Sequence, residues 1–296
     1  MLQFARAHCT EETHDAVSTC RKRRSSDLVK SIDTWQGKWA LVTGASAGIG
    51  KALAEELAAG GTNLVLTARR RERLEELAKT LSTTRKVRTE VLAADLADPT
   101  VPGKILAFTH GKNIQVDLLI NNAGFGAYGE FATSDRSRQL EMVQVNCAAV
   151  VNLTHLFVPA MIDRHSGDIL IVASTAAFQA VPYISTYAAT KAFDLSFAEG
   201  LAEELKPYGI RVCALCPGST ESEFHQVANQ SHLPSSNKRR ESAEKVARTG
   251  LNALTGGRSY VISGAGNYLG AQVQRLVPRR VVTSIAAKLF RPPAKP

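Results

Sequence analysis

The chain has 296 residues, 44% of them hydrophobic and 21% charged, with a formal net charge of +9. That length and apolar content bury a sizeable core, so a single domain with extensions is expected and wholesale disorder is excluded. No uninterrupted apolar run reaches the roughly 18 residues of a membrane-spanning helix; the nearest, "VNCAAVVNLTHLFVPAMI", is broken by Asn146, Asn152 and His155.

Residues 1–36 are polar, carry the basic cluster "RKRRSS" and show no sustained apolar period, which predicts a flexible N-terminal extension. The opening "MLQFARAHCTEETH" has neither the apolar core nor the small-residue cleavage site of a secretory signal, so the expected location is cytoplasmic. From Trp39 short apolar strands alternate with helical patterns. "WALVTG", "NLVLTA", "VRTEVLAADL", "VDLLINNAG", "GDILIVAST", "IRVCALCPG" and "SYVIS" read as seven strands. Six helices fall between them, the longest over about 135–162. Near-continuous apolar strands joined by helices predict an α/β fold: one Rossmann-type doubly wound domain over 37–264 with a seven-stranded parallel sheet.

Five scattered cysteines do not form a disulfide framework. Cys213 and Cys216 are three apart on a strand, so their side chains point to opposite faces and share neither a metal nor a redox bond. No metal site is expected. The polar segment 217–240 follows the sixth strand, at the sheet edge where ligands bind, and is a candidate lid.

"TGASAGIG" lies directly between the first strand and the first helix. Gly44, Gly48 and Gly50 allow a tight turn and close approach, Ser46 adds a hydroxyl, and the helix N-terminus offers free N–H groups to a pyrophosphate. Ala47 and Ile49 complete the turn. The second strand ends at Ala68 with no acid to hold a ribose hydroxyl; Arg69 and Arg70 follow. Arginine's planar fork suits a 2′-phosphate, so NADP(H) is expected over NAD(H), with Arg69 as the phosphate contact.

On these motifs the chain resembles the short-chain dehydrogenase/reductase superfamily over residues 37–264, and within it a bacterial ketoreductase-like, NADP-preferring subgroup. The resemblance is carried by "TGASAGIG", Asp95 in "AADL", "NNAG" at 121–124, Asn146, Ser174, Tyr187-x-x-x-Lys191 and "PGST" at 217–220. It implies that Asp95 and Leu96 contact the adenine. It also implies that Asn122, Ala123 and Gly124 shape the nucleotide pocket, and that Pro217, Gly218 and Thr220 close over the nicotinamide. Ala47 departs from the pattern, since many NADP-using members place a basic residue just before the second glycine. The NADP expectation therefore rests on Arg69. A homo-oligomer, dimer or tetramer, is implied as well.

Tyr187 and Lys191 are one helical turn apart on the same face. Carbonyl reduction needs an acid for the developing alkoxide and a group to polarise the carbonyl. A tyrosine, with a pKa of roughly 10, serves better with an ammonium beside it to favour the phenolate. Lys191 fills that role and, by resemblance, holds the nicotinamide ribose. Ser174 ends the fifth strand and polarises the carbonyl, Thr175 carries a second hydroxyl there, and Asn146 resembles the asparagine that supports a proton relay. The expected activity is hydride transfer between NADP(H) and the carbonyl or secondary alcohol of an apolar substrate. A β-ketoacyl thioester reductase is the alternative, and a non-catalytic NADP(H)-binding sensor or scaffold the rival of another class.

Ser174, Tyr183 and Tyr187 are the candidate substrate contacts. Phe125, Tyr128, Phe131, Phe178 and Phe224 are candidate apolar lining. Nine of the 36 lysines and arginines lie from Lys245 onward with no acid among them, which leaves 27 basic and 27 acidic residues before that point. Residues 265–296 form a basic amphipathic tail. Val281, Val282, Ile285, Ala286 and Leu289 share an arc beside Arg280, Ser284 and Lys288. Three placements stay open for the stretch 276–291: a peripheral membrane contact, the substrate pocket, or a second subunit. No nucleic-acid recognition motif accompanies the charge.

Overall fold

The computed structural model describes residues 33–223 and 240–292. Seven strands, β1 (Trp39–Thr43), β2 (Asn63–Ala68), β3 (Thr89–Ala93), β4 (Val116–Asn121), β5 (Gly167–Val172), β6 (Ile210–Cys216) and β7 (Tyr260–Ile262), form one sheet in the order β3-β2-β1-β4-β5-β6-β7. Every pairing is parallel. The expected fold is the observed one.

Helices α1 (Gly48–Ala59), α2 (Arg71–Arg85) and α3 (Val101–Gly111) follow the first three strands. The predicted long helix is three pieces: α4 (Arg136–Val143), a π-helical turn (Gln144–Ala148) and α5 (Ala149–Asp163). Then come α6 (Ser185–Leu205), α7 (Ala243–Thr255), α8 (Ala265–Val273) and α9 (Arg279–Phe290).

Strands β1, β2, β4, β5 and β6 are buried on both faces, which is why they read as near-continuous apolar runs rather than alternating ones, while the edge strand β3 is only half-buried. Leu41, Val65, Leu119, Ile169 and Cys216 belong to one core layer. Val42, Leu66, Leu118, Leu170 and Cys213 belong to the other. Cys213 and Cys216 therefore face opposite sides of β6, as the strand period requires, and burial raises the Cys213 thiol to about 12. Arg136–Asp163 taken together is long and apolar enough to cross a membrane by length and composition, although the run is broken in sequence. Core helices share that property, and Met142, Val145, Leu153, Phe157 and Met161 of this helix lie in the core.

The N-terminal boundary falls earlier than expected. Asp33–Trp35 form a 3-10 turn and Trp35 is fully buried, so residues 33–36 belong to the domain; residues 1–32 lie outside the described part. Trp35 Nε1 donates to Asp168 Oδ2 at 2.7 Å, and Arg211 grips the same carboxylate through Nε (2.6 Å) and Nη2 (2.8 Å). This cluster closes the sheet edge opposite the strand C-termini. Arg211 is a third exposed, so the pair sits at the weaker end of buried ion pairs. Asp168→Ala is expected to cost about 2 kcal/mol, read as a lower urea midpoint at unchanged slope. A loss under about 0.5 kcal/mol would show that the cluster contributes no net stability.

Candidate active site

β1 and β4 end side by side, and Thr43 ties them together. Its Oγ1 donates to Ile120 O (3.1 Å) and accepts from the backbone N–H groups of Asn122 (2.9 Å) and Ala123 (3.0 Å). Asn122 Nδ2 returns to Thr43 O at 2.8 Å. The "NNAG" segment is thereby clamped against the glycine turn. Gly44 and Gly48 have φ of +66° and +54°, the left-handed region that favours glycine. A Cβ on Gly50 would strike the Gly44 carbonyl and the Asn122 amide. Gly50 thus lies under the turn and lets α1 approach, while Gly44, Ser46, Ala47, Gly48 and Ile49 line the cleft. α1 starts at Gly48 without a side-chain cap, leaving its first N–H groups free for an anion. These features fit a dinucleotide pyrophosphate.

At the end of β2 the structure divides the two arginines differently from the expectation. Arg69 turns toward Glu141, with Nη1 3.8 Å from Oε1. Arg70 lies on the glycine turn instead, donating from Nη2 (3.1 Å) and Nε (3.3 Å) to Ser46 Oγ. Both line the cleft, but Arg70 is the one beside the turn. The local cause is that Arg70 is the extended residue just before α2. Glu223, in the expected lid, bridges Arg70 and Arg73 at 2.6 Å each. Both arginines hold its carboxyl below the usual range, Arg73 first.

Across the cleft stand the residues of the predicted catalytic group. Ser174, just past β5, hydrogen-bonds Tyr187 through its side chain, and its Oγ accepts from Ala176 N at 3.1 Å. Tyr187 and Lys191 lie one turn apart on α6, both buried. Lys191 Nζ donates to Val172 O (2.7 Å) and to Asp194 Oδ2 (2.9 Å). Burial pushes the Tyr187 phenol up, and Lys191 and Ser174 offset only part of that. Lys191 thus acts in the expected direction, but the low-dielectric surroundings outweigh the ammonium and the net direction is upward. Burial also works against the Lys191 ammonium, but Asp194 and Tyr187 outweigh it and the net direction is upward.

Asp194 is the residue that the sequence reading missed. It is 1% exposed, and its Oδ1 has no hydrogen-bond partner among the described residues. Its position three residues after Lys191, on the same helical face, was the available signal. Asn146, in the π-helical turn, bonds the backbone of Phe125 through Oδ1 (3.1 Å) and Nδ2 (3.0 Å), and donates to Thr190 Oγ1 at 3.0 Å. Its side chain is engaged in holding the end of the "NNAG" loop to α6.

Asp95, Leu96, Asn122, Ala123, Gly124, Thr175, Pro217, Gly218 and Thr220 line the same cleft of about 530 Å³. Thr220 pairs with Glu241 in a parallel bridge, so the ends of the expected lid meet; residues 224–239, Phe224 among them, lie outside the described part. Of the aromatic candidates Phe125 lines the cleft. Phe131 is exposed, and Phe178 packs on Tyr260. Tyr183, with φ of +68°, stands beside Tyr128 and outside the lining. Phe290, at the end of α9, does line the cleft, and its carbonyl accepts from Tyr128 Oη at 3.0 Å. That contact spans 162 residues of sequence, and no local pattern announces it.

A family model described as short chain dehydrogenase matches residues 38–232. The chain is 39% identical over 195 residues to very-long-chain 3-oxoacyl-CoA reductase-B of Danio rerio, covering 64% of this chain and 62% of that protein. It is 34% identical over 212 residues to inactive hydroxysteroid dehydrogenase-like protein 1 of Homo sapiens, covering 70% of this chain and 62% of that one. The chain thus spans less than two thirds of the length of these relatives. Among solved structures, the short-chain dehydrogenase from Sphingobium yanoikuyae in complex with NADPH aligns at 28% identity with a TM-score of 0.73, over 87% of this chain and 98% of that one.

Proposed function

The chain belongs to the short-chain dehydrogenase family, and from that premise we propose that it is an NADP(H)-dependent oxidoreductase acting on an apolar carbonyl or secondary alcohol. The observation that carries this reading is one cleft bordered by the glycine turn on one side and by Ser174, Tyr187 and Lys191 on the other. The dinucleotide supplies or accepts the hydride when bound. Gly44, Ser46 and Gly48 would hold its pyrophosphate, Asp95 and Leu96 would flank the adenine, and Arg70 would take the 2′-phosphate. Ser174 donates to the carbonyl oxygen, Tyr187 passes its phenolic proton to the same oxygen as the alcohol forms, and Lys191 carries the compensating charge. In oxidation the proton runs the other way.

The names of several relatives favour a 3-oxoacyl thioester as the carbonyl substrate. Phe125, Ile184 and Phe290 at the substrate end suit an acyl chain. One relative is named inactive, which keeps the non-catalytic rival in view; the presence of serine, tyrosine and lysine together supports turnover here. Exposed Leu140, Val143 and Val151 on α4 and α5 support the homo-oligomer as part of the proposal.

A panel of 3-oxoacyl thioesters, ketones and the matching alcohols, assayed with both cofactors, tests the reading. NADPH is expected to be preferred, and Arg70→Ala to raise its KM about tenfold or more while leaving that for NADH within twofold. Equal use of the two cofactors by the native chain would remove the 2′-phosphate assignment.

A further inference from the structure

The amphipathic arc of the tail is split between two environments. Ala286 is buried, Val282 half-buried, and Phe290 reaches the cleft, so one side of α9 is fixed to the domain. Val281, Ile285 and Leu289 follow at intervals of four, forming an adjoining stripe about 100° round the helix, and are 47%, 54% and 65% exposed. Leu276, in the turn before α9, is 87% exposed. Lys288 borders the stripe, and Arg279 and Arg280 are exposed at its start. From Lys245 to the end the chain contains no Asp or Glu. A monomer normally hides such a row of large aliphatic side chains.

We propose that α9 is an interfacial helix that docks the domain on an anionic lipid surface. Its aliphatic stripe enters the headgroup boundary and its cations meet lipid phosphates. The charge decides the occupant. A two-fold contact through this patch would bring two sets of Arg279, Arg280 and Lys288 together with no acid in the segment to neutralise them. An anionic bilayer supplies the missing sign. Because Phe290 ends the same helix and lines the cleft, docking also brings the mouth of the cleft to the membrane.

Co-sedimentation of the full chain with vesicles tests this. Binding is expected to phosphatidylcholine vesicles containing about 30% phosphatidylglycerol, little to phosphatidylcholine alone, and less as salt rises. Each cation near the surface contributes about fivefold, so the Arg279/Arg280/Lys288→Ala variant should lose about a hundredfold in partitioning. Ile285→Asp, at an exposed position, should abolish binding while leaving the circular dichroism spectrum unchanged. The proposal is overturned if the native chain ignores anionic vesicles, if both vesicle types sediment it equally, or if the cation variant binds like the native chain. It is also overturned if Ile285→Asp dissolves an oligomer without changing lipid binding, since the stripe would then belong to a second copy.

Discussion

A Tyr187→Phe variant is expected to lose about a thousandfold or more in turnover, followed as NADPH absorbance with any carbonyl the native chain reduces. Phenylalanine keeps the buried ring and removes only the hydroxyl that Ser174 engages. Among the described residues, Lys191 is held by Val172 and Asp194, and Thr175 lies on the neighbouring turn, so neither offers a proton at the same place. Cofactor binding, titrated by nicotinamide fluorescence, should change by no more than a few fold, since the pyrophosphate cradle is on the other side. Residual turnover within tenfold of native would end the tyrosine mechanism.

The second large effect concerns Lys191 and Asp194 together. Lys191→Met should abolish turnover, and it also strands the Asp194 carboxylate in the interior. Stranding one member of a buried pair costs about 3–5 kcal/mol. The double variant Lys191→Met/Asp194→Leu should recover most of that stability, measured by urea unfolding, and none of the activity. This separates the lysine's chemistry from its part in holding the fold. If the double variant is no more stable than Lys191→Met, the ion pair is not what the single change broke. Asp194→Asn probes the electrostatic link. The Asp194 charge is one of the influences that raise Tyr187, so removing it should lower the phenol's pKa. The reductive kcat/KM, which needs the protonated phenol, should then fall off at lower pH than in the native chain. An unmoved limb would leave Asp194 a structural role only.

Much of the fold was legible because its signals are local. The apolar runs of β4 and β5 are buried on both faces, so each reads as a strand without reference to its neighbours. The glycine turn and the four-residue interval of Tyr187 and Lys191 are equally local. What escaped depends on distance. Trp35 joins the core through Asp168, 133 residues away, and a polar leader gives no hint of it. Arg69 and Arg70 are adjacent and chemically identical, and only the backbone turn before α2 decides which faces Ser46. The arc on α9 was readable as apolar, but its division into a packed side and a free side follows from where the cleft ends. The lowered tyrosine pKa was expected from an ammonium at one helical turn, and burial was the influence that spacing does not reveal.

The bridge from Glu223 to Arg70 and Arg73 has a thermodynamic consequence. If Arg70 takes the 2′-phosphate as proposed, its arrival would exchange one anion for another rather than create a new ion pair, because those arginines are already neutralised. Much of the phosphate's attraction then goes into evicting the carboxylate, so the margin between the two dinucleotides is narrower than two free guanidiniums would give. Its dependence on ionic strength is correspondingly shallow, because opposite charges meet both before and after the swap. Glu223 belongs to the same segment beyond β6 as Pro217, Gly218 and Thr220, which line the cleft, so that exchange at the adenosine end would act on a segment that also reaches the residues beside Ser174.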